Sequence, residues 1–411
     1  MKRILSIFKT NSTKENYFVI PILLIFAIIS FFVPAFSALP IFNYITIGFV
    51  ATLCILILIW KFLFGKIQID TFFFLIVLFN LAIVISNVFN KDASHIITYV
   101  TLSGMAFCLY QFFIDKKYRK LIHIIIFIGF AAFALYFIIF YKNILFEFSI
   151  QRIGDQFDNI NTVAYYFLYG FVASITLIKP KKIISFLLVI PSLVFVFLIY
   201  RTGSRSALIL AIICLLIVPF HMLRDKKSLF PILIDLGFIV FGIIAVIAIE
   251  RILNVNIFSR LGEFFDALKG DGVDYSSANR IELVFQSLEL FLRKPIFGWG
   301  NNVFSIYSSE RLFAHNNITE LLCDFGLFGF IPFEAIIIIS LLKIKRSKKF
   351  SETTSFALLL LVSFFGIQFF YVNSQLKFDW VAIAFFASES CLLFEERIKN
   401  IKPNTYFDFS I

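Results

Sequence analysis

The sequence predicts an all-α, polytopic integral membrane protein of about 12 transmembrane helices, and three observations predict it. Of 411 residues, 60% are hydrophobic and 15% charged, against roughly 45–50% and 25% in soluble domains. The mean hydropathy is +0.93. The 59 Phe and the long Ile/Leu runs make continuous apolar stretches rather than short alternating segments. That pattern excludes a transmembrane β-barrel along with a soluble globule. Helices satisfy their own backbone inside such stretches.

Uninterrupted apolar windows place spans near residues 17–36, 41–60, 71–89, 95–114, 121–141, 161–178, 183–200, 206–221, 229–249, 324–342, 354–372 and 378–394, close to the roughly 20 residues that a bilayer requires. The first span follows a basic segment, residues 1–16, and ends in Ala35-Phe36-Ser37-Ala38. It is longer than the apolar core of a signal peptide and is read as retained.

Positive charge in short loops marks the cytoplasmic face. With this map one side carries 24 Lys and Arg, including Lys116, Lys117, Arg119, Lys120 and the run Lys343 to Lys349, while the short loops of the other carry six. Both termini are therefore expected in the cytoplasm and the long loop 250–317 outside. The net charge of +11 is then mostly topology, because a nucleic-acid partner needs basic residues gathered on one face. Cys54, Cys108, Cys214, Cys323 and Cys391 lie in or beside apolar segments without a C-x-x-C pair, so neither disulfides nor a zinc site is expected.

Arginines on the outer face need another reason than topology. The long loop is not a polybasic patch, since seven basic residues face nine acidic ones counting Glu250 and Glu320. Within it, 279–294 reads as an amphipathic helix with Asn279 as N-cap and Pro295 ending it. Ile281, Val284, Phe285, Leu288 and Phe291 or Leu292 form its apolar stripe, and Glu282, Gln286, Glu289 and Arg293 its polar face. Arg280 is turned roughly 200° from Glu282, away from the solvated face. Arg293, four residues after Glu289, reads as a surface ion pair.

Next comes the glycine turn Pro295-Ile296-Phe297-Gly298-Trp299-Gly300. In Ala314-His315-Asn316-Asn317-Ile318-Thr319-Glu320, Asn317 is expected to cap a helix with Glu320 as its capping-box partner. His315 would then precede a helix N-terminus, whose dipole disfavours imidazolium and keeps a neutral base. Arg201-Thr202-Gly203-Ser204-Arg205-Ser206 makes a hairpin between two spans. Its guanidinium forks suit either lipid headgroups or a pyrophosphate. Arg152, with Asp155, Asp158, Asn159 and Asn161, lies at the entrance to the sixth span.

Three stretches now carry a resemblance: Thr202-Gly-Ser-Arg-Ser-Ala-Leu-Ile209; Asn279-Arg-Ile-Glu followed by Lys294-Pro-Ile-Phe-Gly-Trp-Gly300; and Ala314-His-Asn316 followed by Glu320-Leu-Leu-Cys-Asp-Phe-Gly-Leu-Phe-Gly329. In order and face, over about residues 200–335, they resemble the O-antigen polymerase/O-antigen ligase superfamily of bacterial envelope glycosyltransferases. The resemblance implies a GT-C-like, metal-independent enzyme without a cofactor in the cytoplasmic (inner) membrane of a bacterium. Its donor would be an undecaprenyl-pyrophosphate-linked oligosaccharide used at the outer face, in lipopolysaccharide or capsule synthesis, with a chain-length regulator protein as a further partner. Residue by residue, Arg205 and Arg280 resemble the pyrophosphate-binding arginines, Arg152 a further one, and His315 the general base on the acceptor hydroxyl. Arg201, Asn316 and Glu320 are supporting residues. The domain reading is N-terminal membrane helices over 1–200, the ligase-like region over 201–342, and C-terminal helices with a cytoplasmic tail over 343–411.

The superfamily includes polymerases, which extend a repeat-unit glycan, and ligases, which move it to lipid A-core. Gly-Ser-Arg in place of Thr-x-Thr-Arg, and a plain Ala-His-Asn, lean this chain toward polymerase. A flippase or transporter is the reading from another class. It would use the intramembrane charges Asp235, Glu334 and Glu389, yet no repeated half is visible.

Overall fold

The structure, a computed structural model, describes residues 13–35, 40–90, 96–146, 159–178, 187–223, 275–308, 312–347 and 351–401. Their regular elements are helical: α1 (Thr13–Ala35), α2 (Pro40–Phe64), α3 (Thr71–Asn90), α4 (Ile96–Phe113), α5 (Arg119–Phe140), α6 (Lys142–Leu145), α7 (Ile160–Leu177), α8 (Val189–Thr202), α9 (Arg205–Leu223), α10 (Tyr275–Arg293), α11 (Phe304–Tyr307), α12 (Asn317–Lys345), α13 (Glu352–Gln368) and α14 (Lys377–Ile401), with a 3₁₀ turn at Asn373–Gln375. Eleven of the expected spans coincide with helices, and the window 229–249 lies outside the described residues. Seven helices, α1–α5, α7 and α12, are long and apolar enough to cross a membrane, and α8, α9 and α13 contain shorter apolar segments. All five cysteines are free thiols.

The helices run up and down between two ends of a bundle. Phe79 of α3 sits at the centre, with its ring centroid 6.1 Å from Tyr99 of α4, 5.2 Å from Phe333 of α12 and 5.9 Å from Trp380 of α14. The abundant Phe thus forms the packing between spans, where offset and edge-on rings add to the dispersion contacts of a close-packed interior. α7 is buried around nearly its whole circumference from Thr162 to Thr176, which makes it an inner helix shielded from lipid.

At one end the basic residues meet acidic partners on neighbouring helices. Lys116 pairs with Glu396, Lys120 with Glu352 at 3.1 Å, and Arg119 with Glu389. The last pair is buried, and Thr354 Oγ1 donates to the second Glu389 oxygen. Glu389 therefore ties α5, α13 and α14 together instead of standing as an isolated intramembrane charge.

Two sequence expectations change on the other side of the bundle. Asn279 is not an N-cap, because α10 begins a turn earlier at Tyr275. Its apolar stripe is also split: Leu283 and Ser287 face inward, whereas Ile281, Phe285 and Leu292 are exposed. Tertiary contacts, rather than hydrophobicity alone, select the inward face.

Removing one member of a buried ion pair strands the other charge, at a cost of roughly 3–5 kcal/mol. Glu389→Leu alone is therefore expected to destabilise the detergent-solubilised protein more than the double change Arg119→Met/Glu389→Leu. Thermal unfolding of the two variants and the parent checks this.

Candidate functional site

The framework of the site is a broken helix. Gly326 interrupts α12 at φ 59° and ψ −165°, a conformation essentially restricted to glycine. The break lies within a segment long enough to cross a membrane, where unsatisfied backbone groups are costly. The turn 295–300 supplies the partners. Trp299 N–H donates to the Cys323 carbonyl and Gly300 N–H to that of Asp324, both at 2.9 Å, while Leu327 and Phe328 N–H donate to the carbonyls of Pro295 and Ile296 at 2.8 and 3.0 Å. An added Cβ would lie 2.4 Å from Asp324 O at Gly298 and 2.4 Å from Ile296 O at Gly326. Both glycines permit this backbone approach. Ser86 Oγ adds a bond to the Asp324 carbonyl at 2.7 Å, and Asn90 of α3 donates to Gly298 O at 3.2 Å.

This junction positions α10. Ser287 Oγ donates to the Thr319 carbonyl at 2.8 Å. Leu283, Phe304, Ala314 and Cys323 close into a small apolar core against Leu290 and Trp299. Ala314 immediately precedes His315, so α10 and the histidine loop share one rigid support.

The first turn of α12 is capped by Asn316, not Asn317. Asn316 Oδ1 accepts from Thr319 N–H at 3.1 Å. Buried Asn317 instead donates to Gln368 at 3.0 Å and accepts from Ser374 N–H at 3.0 Å. Glu320 is not a capping-box partner either. It lies one residue too late and accepts the Ala314 N–H at 2.7 Å. These bonds hold His315 in the left-handed region at φ 53°, a conformation uncommon outside glycine. Its ring lies 4.4 Å from Phe313, and Nδ1 is buried without a hydrogen-bond partner among the described residues. Burial first, and then the charge of Arg280, hold the imidazole down at about 4. The imidazole is neutral, as the sequence predicts, but desolvation rather than a helix dipole is the leading cause.

Arg280 projects from α10 to within electrostatic range of both His315 and Tyr165. The Tyr165 hydroxyl is hydrogen-bonded to Ser206 at 2.8 Å, next to Arg205 in the first turn of α9. Tyr371 completes the ring of contacts: it accepts from Thr162 at 3.1 Å and lies 5.9 Å from Tyr165 and 5.7 Å from Phe313, centroid to centroid. The starts of α7, α9 and α12 thus meet around His315, Arg280 and the Arg205-Ser206 turn. Helix N-termini and guanidinium groups create a potential that favours an anion.

Arg201 is placed differently. It is buried, with Nε donating to Leu145 O at 2.7 Å and Nη2 to Ile144 O at 3.0 Å, so it braces the α6 turn. Arg152 lies outside the described residues. Sequence reading does not single out Thr162, Tyr165 or Tyr371, and it reaches Ser206 only as part of the hairpin motif. Thr162 and Tyr165 carry one faint signal, lying three and six residues after the α7 cap Asn159; Tyr371 carries none. Among the described residues, no three or more His, Cys, Asp or Glu side chains group as a metal site would require.

A family model described as O-antigen ligase matches residues 187–333, in keeping with the O-antigen polymerase/ligase superfamily and overlapping the region of the sequence resemblance. Among curated proteins none matches the chain. With the apolar helices, the match makes this a bacterial membrane protein of polysaccharide biosynthesis.

Gly298→Ala and Gly326→Ala are each expected to lower thermal stability, because each forces a Cβ against a carbonyl at a positive φ. Gly48→Ala is the control: no atom lies within 4 Å of its added Cβ. Melting curves in one detergent compare all three.

Proposed function

We propose that this chain is a glycan polymerase that transfers an undecaprenyl-pyrophosphate-linked glycan to an acceptor sugar hydroxyl on the outer side of the cytoplasmic membrane. The observation that carries the proposal is Arg280 lying within electrostatic range of His315, at the bundle end where α7, α9 and α12 begin. A departing pyrophosphate needs fixed positive charge, and an attacking hydroxyl needs a neutral base. The charge asymmetry of the short loops supports the outward orientation, with both termini in the cytoplasm.

In the proposed reaction the acceptor oxygen bonds to the anomeric carbon of the donor while the bond from that carbon to the pyrophosphate oxygen breaks. His315 takes the hydroxyl proton. Arg205 and Arg280, with Arg152 as a third candidate, neutralise the charge growing on the departing undecaprenyl pyrophosphate. Metal independence belongs to this proposal, since the arginines would supply the charge. Asn316 and Glu320 act as positioning residues through the bonds that shape the His315 loop, whereas the contacts of Arg201 favour a bracing role.

The ligase reading is kept because the matched family model carries that description. The Gly-Ser-Arg and Ala-His-Asn signatures favour polymerase. Envelope glycans of a deletion strain separate the two: carrier lipid or capped core with a single repeat unit supports a polymerase, and long unattached polymer supports a ligase.

His315→Ala is expected to reduce transfer by about 10²–10⁴-fold, the usual contribution of a general base, with donor binding retained. Near-parental glycan products from that variant would remove His315 from the mechanism. Arg205→Ala and Arg280→Ala should weaken donor binding in a direct assay with purified protein.

The His315 value also gives the pH dependence a sign. The base is neutral above about 4, so kcat/KM stays level through neutral pH and is lost only as pH falls through that region. Arg280→Gln removes one of the two causes and should move the acidic limb upward. An unmoved limb would separate Arg280 from His315.

A further inference from the structure

We infer that α10 is an interfacial helix whose exposed apolar sector is embedded in the bilayer leaflet at the bundle end where α3 stops and α12 starts. The inference stands on the geometry of α10 and does not depend on the sugar-transfer reading.

At 100° per residue, α10 divides into three sectors. Counting from Arg280, residues Leu283, Ser287, Leu290 and Phe291 fall within about 80° of it. Leu283 is 1% and Ser287 0% exposed, in contact with the α12 support already described. Leu288, Ile281, Leu292 and Phe285 occupy roughly 80–140°. In this second sector Ile281 is 58%, Phe285 66% and Leu292 72% exposed. Glu289, Glu282, Arg293 and Gln286 occupy roughly 180–240°, held together by bonds from Gln286 to Glu282 at 3.0 Å and from Arg293 to Glu289 at 2.6 Å.

A helix docked only on protein needs one apolar sector, and α10 already has it. The second sector lies beside a charged one, which is the arrangement of a helix lying at a water–lipid boundary. The charged sector holds two glutamates and one arginine, so the attraction is to acyl chains rather than to anionic headgroups.

What covers the second sector is indicated by its continuation. Past Pro295 the exposed side chains Ile296 and Phe297 follow it. Phe297 stacks on exposed Phe89 of α3 at 5.6 Å and meets Phe328 of α12 at 5.5 Å. Phe89 and the exposed Leu327 and Ile331 belong to two helices with the length and apolarity of membrane spans. The apolar sector of α10 therefore merges with the lipid-facing flank of α3 and α12. In this position the sector reaches about 5–10 Å into the boundary between headgroups and chains. Arg280, on the inward side of the same helix, then lies near the depth of lipid phosphates.

Photo-crosslinking of the full chain in phosphatidylethanolamine/phosphatidylglycerol vesicles tests this. The aromatic photoreactive residue p-benzoylphenylalanine replaces Phe285 in one variant, Leu292 in a second, and Glu282 or Glu289 in two more. Phe285 and Leu292 are exposed, so the replacement leaves the core intact. Mass spectrometry of the irradiated protein is expected to show phospholipid adducts at positions 285 and 292 at least about tenfold above those at 282 and 289. Equal yields on both sectors, absence of lipid adducts from all four positions, or crosslinks from 285 and 292 to a second copy of the chain would each overturn the inference.

Discussion

The backbone pairing across Gly326 is the constraint on which the site depends. A break in a membrane helix exposes carbonyl and N–H groups that lipid cannot satisfy, and here the turn from Pro295 to Gly300 satisfies four of them. That turn is the direct continuation of α10, so the pairing that repairs α12 also fixes α10 against it. Arg280 is thereby carried into electrostatic range of His315, 35 positions further along the chain. Substituting either glycine at the contact acts on the repair of α12 and the placement of Arg280 together.

Charge is divided between the ends of the bundle in two different ways. At one end Lys116, Arg119 and Lys120 meet carboxylates, so their charge is spent on helix-to-helix ties. At the other, Arg280 lies within electrostatic range of a histidine and a tyrosine, near the starts of α7, α9 and α12. Opposite charge is paired at the first end, whereas at the second burial and the charge of Arg280 keep the His315 imidazole neutral. That contrast weighs against a transporter built on Glu389, whose charge is already compensated. It suits an anionic leaving group.

The left-handed backbone of His315 shows how local strain is maintained. Asn316 caps α12, Glu320 grips Ala314 N–H, and Asn317 is anchored to Gln368 and Ser374. Each bond fixes one neighbour of the histidine, and together they hold a conformation that an isolated loop would leave. Loop 369–376 packs Tyr371 against Phe313 of the histidine loop, which couples the end of α13 to it.

Apolar run length and charge asymmetry made most of the helices legible in the sequence, because spanning a bilayer imposes a length and a backbone rule that any sufficiently apolar segment reveals. The motifs around Arg205, Arg280 and His315 were legible for the same local reason: caps, turns and guanidinium groups are written in consecutive residues. The sequence misassigned the cap by one residue and the inward face of α10 by part of a turn. Asn316 and Asn317 offer the same side chain, and several sectors of α10 are apolar. Only the tertiary structure decided between them, since Gln368 and Ser374 claim Asn317 and the repaired break in α12 claims Leu283 and Ser287. Tyr165 and Tyr371 stayed invisible until then, because their place beside the histidine comes from helices that meet in space rather than along the chain.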